Sequence, residues 1–231
     1  MEAERRQLTM MFVDLVGSTA LSAQLDPEDM SELIRVYQDA VAAEISRFEG
    51  HIAQFLGDGV LAYFGWPQTH EDEAERAIRA ALSITAVASN LKPRLGQNLQ
   101  TRIGIATGTV VVGELIAEGS SVRHTAVGET PNFAARLQGL AEPGTVVIAD
   151  STRRLLGDLF VLRELGPQTL KGIAEPTPVF VVLGEHSITT GTWNSAIQAS
   201  AWRMAGAISS CLCTRMPLQP RPSTTFMWST P

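Results

Sequence analysis

The chain has 231 residues, enough for one well-buried domain with an appendage, and its 24 acidic and 18 basic residues give a formal net charge of −6. The acidic balance and the lack of a basic cluster argue against a nucleic-acid partner, which would require lysines and arginines gathered on one face. No apolar run reaches the roughly 18 residues that cross a bilayer, and the start of the chain lacks the apolar stretch of a signal peptide, so we expect a cytoplasmic protein without a membrane partner.

The charges are unevenly distributed along the chain. Residues 1–186 carry 15 basic and 24 acidic groups, whereas the only charges beyond them are three arginines. This last part is rich in Ser, Thr and Pro, and its Cys211 and Cys213 are too close together for an ordinary disulfide. We therefore expect one folded domain in residues 1–185 and a disordered C-terminal tail in residues 186–231.

The first fifty residues predict a strand, a turn and a long helix. LTMMFVD, residues 8–14, is a buried-strand candidate, and the turn VGST that follows it, residues 16–19, has the size of a phosphate-binding loop. Asp26 and Pro27 are typical of an N-cap and a first helical turn, and apolar residues then recur at helical spacing until Gly50.

The next elements are hairpins that alternate with helices. Residues 51–65, HIAQFLGDGVLAYFG, predict a hairpin because Asp-Gly between apolar runs is a strong turn signal. Thr69 is expected to cap a second helix, and residues 101–112 and 121–127 predict two strands with a polar connection. Thr130 opens a third helix, and three short strands follow it. This order favours an α+β fold with helices on one face of a mainly antiparallel sheet.

Two aspartates stand where apolar strands end. Asp14 closes the first strand and Asp58 lies at the tip of the hairpin, where N-cap and turn chemistry are sufficient explanations for a single residue. Mg²⁺ prefers one or two protein carboxylates together with substrate phosphates, so this pair would also suit a metal–nucleotide site.

The third helix, TPNFAARLQGL, presents a polar pair. Asn132 and Arg136 lie at i and i+4 on one face, while the apolar residues occupy another. A solvated polar face is the alternative explanation of this pair. Lys171, one of only two lysines in the chain, precedes the last strand in the string TLKG.

Four strings together resemble the catalytic domain of class III adenylate and guanylate cyclases: FVDLVGST, LGDGVLAYFG, TAVGETPNFAARL and LKGI. The match runs from about Arg6 to Leu183, in the order and spacing of that family. The resemblance implies a ferredoxin-like α+β domain that works as a head-to-tail homodimer, with active sites at the interface built from both chains.

The resemblance also assigns roles to single side chains. Asp14 and Asp58 match two aspartates that hold two divalent cations, Mg²⁺ or Mn²⁺. Asn132 and Arg136 match residues that come from the partner subunit, where the amide orients the ribose and the guanidinium stabilises charge at the α-phosphate. Lys171 matches a lysine that binds the terminal phosphates.

The turn after the first strand adds Gly17, Ser18 and Thr19 as expected substrate contacts. Two further positions read the purine in this family, typically a lysine and an aspartate or threonine for adenine. Thr125 matches the threonine variant of a bacterial subgroup, whereas Gln54 stands where the lysine is usual.

The implied substrate is a purine nucleoside triphosphate, with ATP preferred. Attack of the ribose 3′-oxygen on the α-phosphorus would give 3′,5′-cyclic AMP and pyrophosphate, and the protein's part would be mainly positioning and charge neutralisation. Two alternatives stay open because Gln54 departs from the family pattern. One is a catalytically weak nucleotide-binding or regulatory module that dimerises, and the other is a guanylate cyclase.

Overall fold

The computed structural model describes residues 4–91, 98–116, 122–173 and 175–186. For residues 114–116 and 122–125 it describes the backbone only. The predicted tail beyond His186 lies outside the described residues. None of the described helices combines the length and the apolarity that crossing a bilayer requires.

The described residues form eight strands and five helices. In chain order they are β1 (Glu4–Leu15), α1 (Ser18–Ser22), α2 (Pro27–Arg47), β2 (His51–Leu56), β3 (Gly59–Phe64), α3 (Glu73–Asn90), β4 (Thr101–Ile116), β5 (Val122–Val127), α4 (Glu129–Leu140), β6 (Thr145–Ala149), α5 (Asp150–Arg153), β7 (Phe160–Gln168) and β8 (Thr177–Glu185).

The strands belong to one mixed sheet. Their order is β2-β3-β1-β4-β6-β8-β7, and β5 pairs with the far part of β4. Strands β4 and β6 run parallel, and the other pairs are antiparallel. This arrangement confirms the predicted α+β class with a mainly antiparallel sheet.

Helices cover both faces of the sheet, so the prediction that they lie on one face was wrong. Side chains alternate along a strand: Met11 and Val13 of β1 join the apolar cluster formed with α2 and α3. Leu8 and Met10 of the same strand join a second cluster that includes Leu137 of α4. The reason is visible in β1 itself, because residues 8–13 are apolar except for Thr9 and give the strand two faces to bury.

Two predicted helix N-termini have different outcomes. Helix α2 begins at Pro27 directly after Asp26, as predicted. The prediction that Thr69 caps the second helix was wrong, because α3 begins at Glu73. The Glu73 side chain accepts a hydrogen bond of 2.8 Å from the backbone N–H of His70, which holds the preceding residues as a turn outside the helix.

Helix α4 lies directly against β4 at Gly104. A Cβ atom at this position would come closer than 3.0 Å to the carbonyl oxygen of Ala134 and to the backbone nitrogen of Gln138. Backbone atoms of a packed helix cannot rotate away as a side chain can. The absence of a side chain at Gly104 therefore sets how closely α4 approaches the sheet.

We expect Gly104→Ala to lower the free energy of unfolding by about 3 kcal/mol, because overpacking against a fixed helix backbone forces strand and helix apart. Gly139→Ala, in the same helix, is the matched control, since its Cβ would meet nothing within 4 Å. An alanine there should stabilise the helix by about 0.5–1 kcal/mol. Urea unfolding of the full chain, followed by circular dichroism, measures both, and equal midpoints for the two variants would contradict this account of the packing.

Candidate active site

Sheet pairing brings the two predicted aspartates together. Strand β1 runs antiparallel to β3, with Val13 opposite Val60, so the end of β1 lies beside the start of β3. Asp14 occupies that end, and Asp58 lies in the two-residue turn that precedes β3. The turn is anchored to α2, because the Gln38 amide donates a hydrogen bond of 2.7 Å to the carbonyl oxygen of Gly57.

The two carboxyl groups interact directly. Partial burial raises the pKa of Asp14 above its ordinary value, and the neighbouring Asp58 carboxylate raises it further. The charge of Arg102 and a hydrogen bond from Gln138 act in the opposite direction. Because the folded pKa is raised, folding without a cation is most favoured at low pH, and stability is lost as the pH rises through that pKa. A bound cation would remove the cost of placing two negative charges together.

Two side chains of neighbouring elements act on Asp14, one through its charge and one through a hydrogen bond. Arg102 of β4 is the register partner of Asp14, and its charge lowers the carboxyl pKa. The Gln138 amide of α4 donates a hydrogen bond of 3.0 Å from Nε2 to Oδ2 of Asp14. The hydrogen bond from α4 therefore holds the carboxylate, and Arg102 of the sheet acts on it only through its charge.

Tyr37 of α2 adds a buried hydroxyl near the carboxylate pair. Its side chain is fully buried, and its hydroxyl has no hydrogen-bond partner among the described residues. Burial raises the pKa of Tyr37, and the charges of Asp14 and Asp58 raise it further. The phenol thus stays neutral and keeps a proton to donate.

A groove opens beside Asp58. Its volume is about 820 Å³, and its walls are α1, the first half of α2 and the β2–β3 turn. Ser18 and Thr19 line it together with Gly57 and Asp58, whereas Gly17 lies in the exposed turn before α1. This volume lies within the range of small-molecule sites. Two hydroxyl residues of the predicted substrate turn therefore line the same groove as one of the two aspartates.

The predicted polar pair on α4, Asn132 and Arg136, does not face the two aspartates. Asn132 is exposed and Arg136 is half-buried. A Cβ atom on Gly172 would lie 3.2 Å from Nη2 of Arg136, so this guanidinium lies against the turn that carries the exposed Lys171. Within the described part of the chain, the charges that shift the pKa of Asp14 are those of Asp58 and Arg102, and Arg136 is not one of them.

Of the two predicted base-reading residues, Gln54 has a described side chain and Thr125 has a described backbone only. Gln54 is exposed on β2, where the pairing with β3 shifts register between Ile52 and Gln54. Such a bulge re-aims the side chains that follow it. Thr125 pairs through its backbone with Gly113, but its side chain lies outside the described residues. The structure places one of these two side chains only.

Sequence reasoning missed Tyr37, Arg102 and Gln138 as parts of the site. Tyr37 lies on the apolar stripe of α2, where its spacing indicates core packing and nothing marks a second role for its hydroxyl. Gln138 carried a usable signal, because it follows Ala134 by one helical turn on the face packed against β4, where a polar side chain needs a partner.

The donor set fits hard divalent cations. The described residues contain no group of three or more His, Cys, Asp and Glu side chains that could enclose a metal. Asp14 and Asp58 offer two neighbouring carboxylates, of which Asp58 lines an open groove. Mg²⁺ is typically bound by one or two carboxylates together with substrate phosphates.

Comparison with known proteins assigns a family to this chain. The family model described as Adenylate and Guanylate cyclase catalytic domain matches residues 1–184. Adenylate cyclase 1 of Rhizobium meliloti (strain 1021) is 33% identical over 188 residues, which are 79% of this chain and 28% of that protein. The chain spans 18–28% of the length of the first three curated relatives it matches.

Solved structures are similar over the same region. The adenylyl cyclase CyaB from P. aeruginosa has a TM-score of 0.75 and 28% identity, with 79% of this chain and 96% of that chain covered. The guanylate cyclase domain of RhGC from Catenaria anguillulae, in complex with GTP, has a TM-score of 0.74 and 26% identity, with coverage of 79% and 100%. The chain therefore belongs to the adenylate and guanylate cyclase catalytic domain family.

Proposed function

We propose that residues 1–185 are the catalytic domain of an adenylate cyclase, which converts ATP to 3′,5′-cyclic AMP and pyrophosphate. The observation that carries the proposal is the close carboxylate pair of Asp14 and Asp58, of which Asp58 lines a groove of about 820 Å³. Similarity to an adenylate cyclase of Rhizobium meliloti supports ATP as the substrate. The threonine at position 125 is consistent with the bacterial subgroup that uses threonine to read adenine.

Asp14 and Asp58 would hold two divalent cations, Mg²⁺ or Mn²⁺. When bound, such cations act as Lewis acids that activate the ribose 3′-hydroxyl and neutralise the triphosphate. The chain's own groups do the remaining work: Ser18 and Thr19 line the groove and contact phosphate oxygens with Gly17, and the Lys171 ammonium neutralises the terminal phosphates.

We further propose a head-to-tail homodimer in which Asn132 and Arg136 act in the partner's site. The contact between α4 and Asp14 is made by Gln138, whereas Arg136 lies against Gly172, which leaves its guanidinium on another side of the helix. Exposed apolar side chains also support an interface. They occur on β2 and on the paired strands β4 and β5, at Phe55 (45% exposed), Leu56 (43%), Val111 (40%) and Val127 (62%).

Guanylate cyclase activity is the second candidate. Gln54 is exposed on β2, and a neutral amide both donates and accepts hydrogen bonds, so it can pair with adenine or with guanine. The similar RhGC domain, whose structure contains GTP, favours this candidate. A catalytically weak regulatory module is less well supported, because Asp14, Asp58, Asn132 and Arg136 all match the family's functional residues.

We expect Asp58→Asn to lower cyclase activity by at least about a hundred-fold, because metal Lewis acids contribute several kcal/mol to such reactions. The same change removes the repulsion that raises the pKa of Asp14. The metal-free variant should therefore melt at a higher temperature than the wild type, by a margin that grows as the pH rises and Asp14 ionises. Thermal unfolding with and without Mn²⁺ measures this, and a variant that Mn²⁺ still stabilises like the wild type would disprove the metal site.

Mixing two inactive variants should restore activity. In a mixed dimer of Asp14→Ala and Arg136→Ala chains, one of the two interface sites would combine an intact aspartate pair with an intact arginine. At most one site per mixed dimer is repaired, so about a quarter of wild-type activity is expected after random exchange. Native mass spectrometry confirms the exchange, and an inactive mixture of exchanged subunits would mean that each chain carries a complete site.

Gln54→Lys should raise the preference for ATP over GTP by about five-fold. A charged donor strengthens a hydrogen bond by about 1 kcal/mol over a neutral one, and guanine presents a donor rather than an acceptor at the ring nitrogen next to its 6-carbonyl. The measurement is the ratio of cyclic products formed from equal concentrations of both nucleotides. The same ratio in wild type and variant would mean that Gln54 does not contact the base.

A further inference from the structure

The hydrogen bond between Gln138 and Asp14 joins α4 to the carboxylate pair. It links residues 124 positions apart, with a distance of 3.0 Å from Nε2 to Oδ2. Only the NH₂ group of the amide can donate to an ionised carboxylate, so the orientation of the Gln138 side chain is determined by its partner. The contact is therefore directional and specific for an amide donor.

The backbone on both sides of this contact is fixed. On the helix side, the backbone nitrogen of Gln138 lies so close to Gly104 that a Cβ atom would not fit between them. On the sheet side, Asp14 is the register partner of Arg102, two residues before Gly104 on the same strand. Backbone packing thus fixes the positions from which the Gln138 and Asp14 side chains extend toward each other.

The chemistry of the contact suits a metal ligand. A donor on Oδ2 restricts rotation of the Asp14 carboxylate and leaves lone pairs on both oxygens for a cation. Hydrogen bonds from outside the coordination sphere orient metal ligands in this way, and their loss commonly reduces metal affinity or activity by about 10–100-fold. A neutral amide performs this role without adding a charge to the pair.

We propose that Gln138 is a positioning residue that orients Asp14 for cation binding in its own chain. The proposal rests on the proposed function in one respect, the assignment of Asp14 as a metal ligand. Combined with the proposed dimer, it gives α4 two tasks: Gln138 serves the site of its own chain, while Asn132 and Arg136 serve the site of the partner. Each α4 would then contribute to both active sites of the dimer.

The first test measures cation binding on the full chain and requires no catalysis. Gln138→Met keeps the length of the side chain and removes the donor, and Gly139→Ala is the matched control on the adjacent, exposed position of α4. With Mn²⁺ alone as the probe, thermal unfolding should give about a ten-fold higher half-saturating concentration for Gln138→Met. Gly139→Ala should match the wild type. Equal Mn²⁺ affinity in the wild type and Gln138→Met would overturn the proposal.

The second test places Gln138→Met in one chain of the complementing pair. In a dimer of Asp14→Ala and Arg136→Ala chains, the repaired site uses the aspartates of the Arg136→Ala chain. Adding Gln138→Met to that chain should raise the Mn²⁺ requirement about ten-fold. Adding Gln138→Met to the Asp14→Ala chain should leave the Mn²⁺ requirement within about two-fold of that of the parent pair, because Gln138 of that chain has no Asp14 carboxylate to orient.

The outcomes separate this inference from the proposed function. Equal losses from both placements would assign Gln138 to helix packing alone and overturn the proposal. An inactive parent pair would reject the shared site, but the Mn²⁺ affinity of Gln138→Met in the first test would still decide the positioning role. If Mn²⁺ stabilises neither the wild type nor the variant, the metal assignment of Asp14 fails, and the proposal fails with it.

Discussion

The electrostatic repulsion between Asp14 and Asp58 is the constraint around which this end of the sheet is organised. Partial burial and a neighbouring negative charge both raise the pKa of Asp14, so the pair destabilises the fold when no cation is bound. The surrounding contacts oppose this effect: the Gln38 amide holds the hairpin turn, and the Gln138 amide and Arg102 act on Asp14 itself. A pair of charges that destabilises the unliganded fold is typical of functional sites, where charges are arranged for a ligand.

Much of the fold could be predicted because its signals are local. The Asp-Gly turn, the proline that starts α2 and the apolar run of β1 each report their structure within a few residues. The number of helix layers could not be predicted in the same way. Residues 8–13 are apolar at every position except Thr9, and deciding that both faces are covered requires knowing that α4 returns to pack on the face opposite to α2 and α3.

The residues of the candidate site differ in the same way, because some carry local sequence signals and others depend on contacts with distant segments. Asp14 and Asp58 could be identified from strand ends and motif strings, but their contacts depend on registers set by distant segments. Gln138 reaches Asp14 because β1 pairs with β4 and Gly104 admits the helix backbone. A sequence pattern reports which residues repeat along a helix, whereas the close approach of a helix to a strand depends on a single glycine more than twenty residues away.

The geometry of α4 bears on whether one chain could form a complete site. Successive helical residues are rotated by about 100°, so Asn132 and Arg136 share one side of α4, whereas Gln138 points about 200° away from Arg136. The Gln138 side is the one that contacts Asp14. For Arg136 to reach the carboxylates of its own chain, α4 would have to turn about its axis, which would break the backbone contact at Gly104. A second chain can bring an arginine to the pair without disturbing this packing, and this favours a shared site over a complete site within each chain.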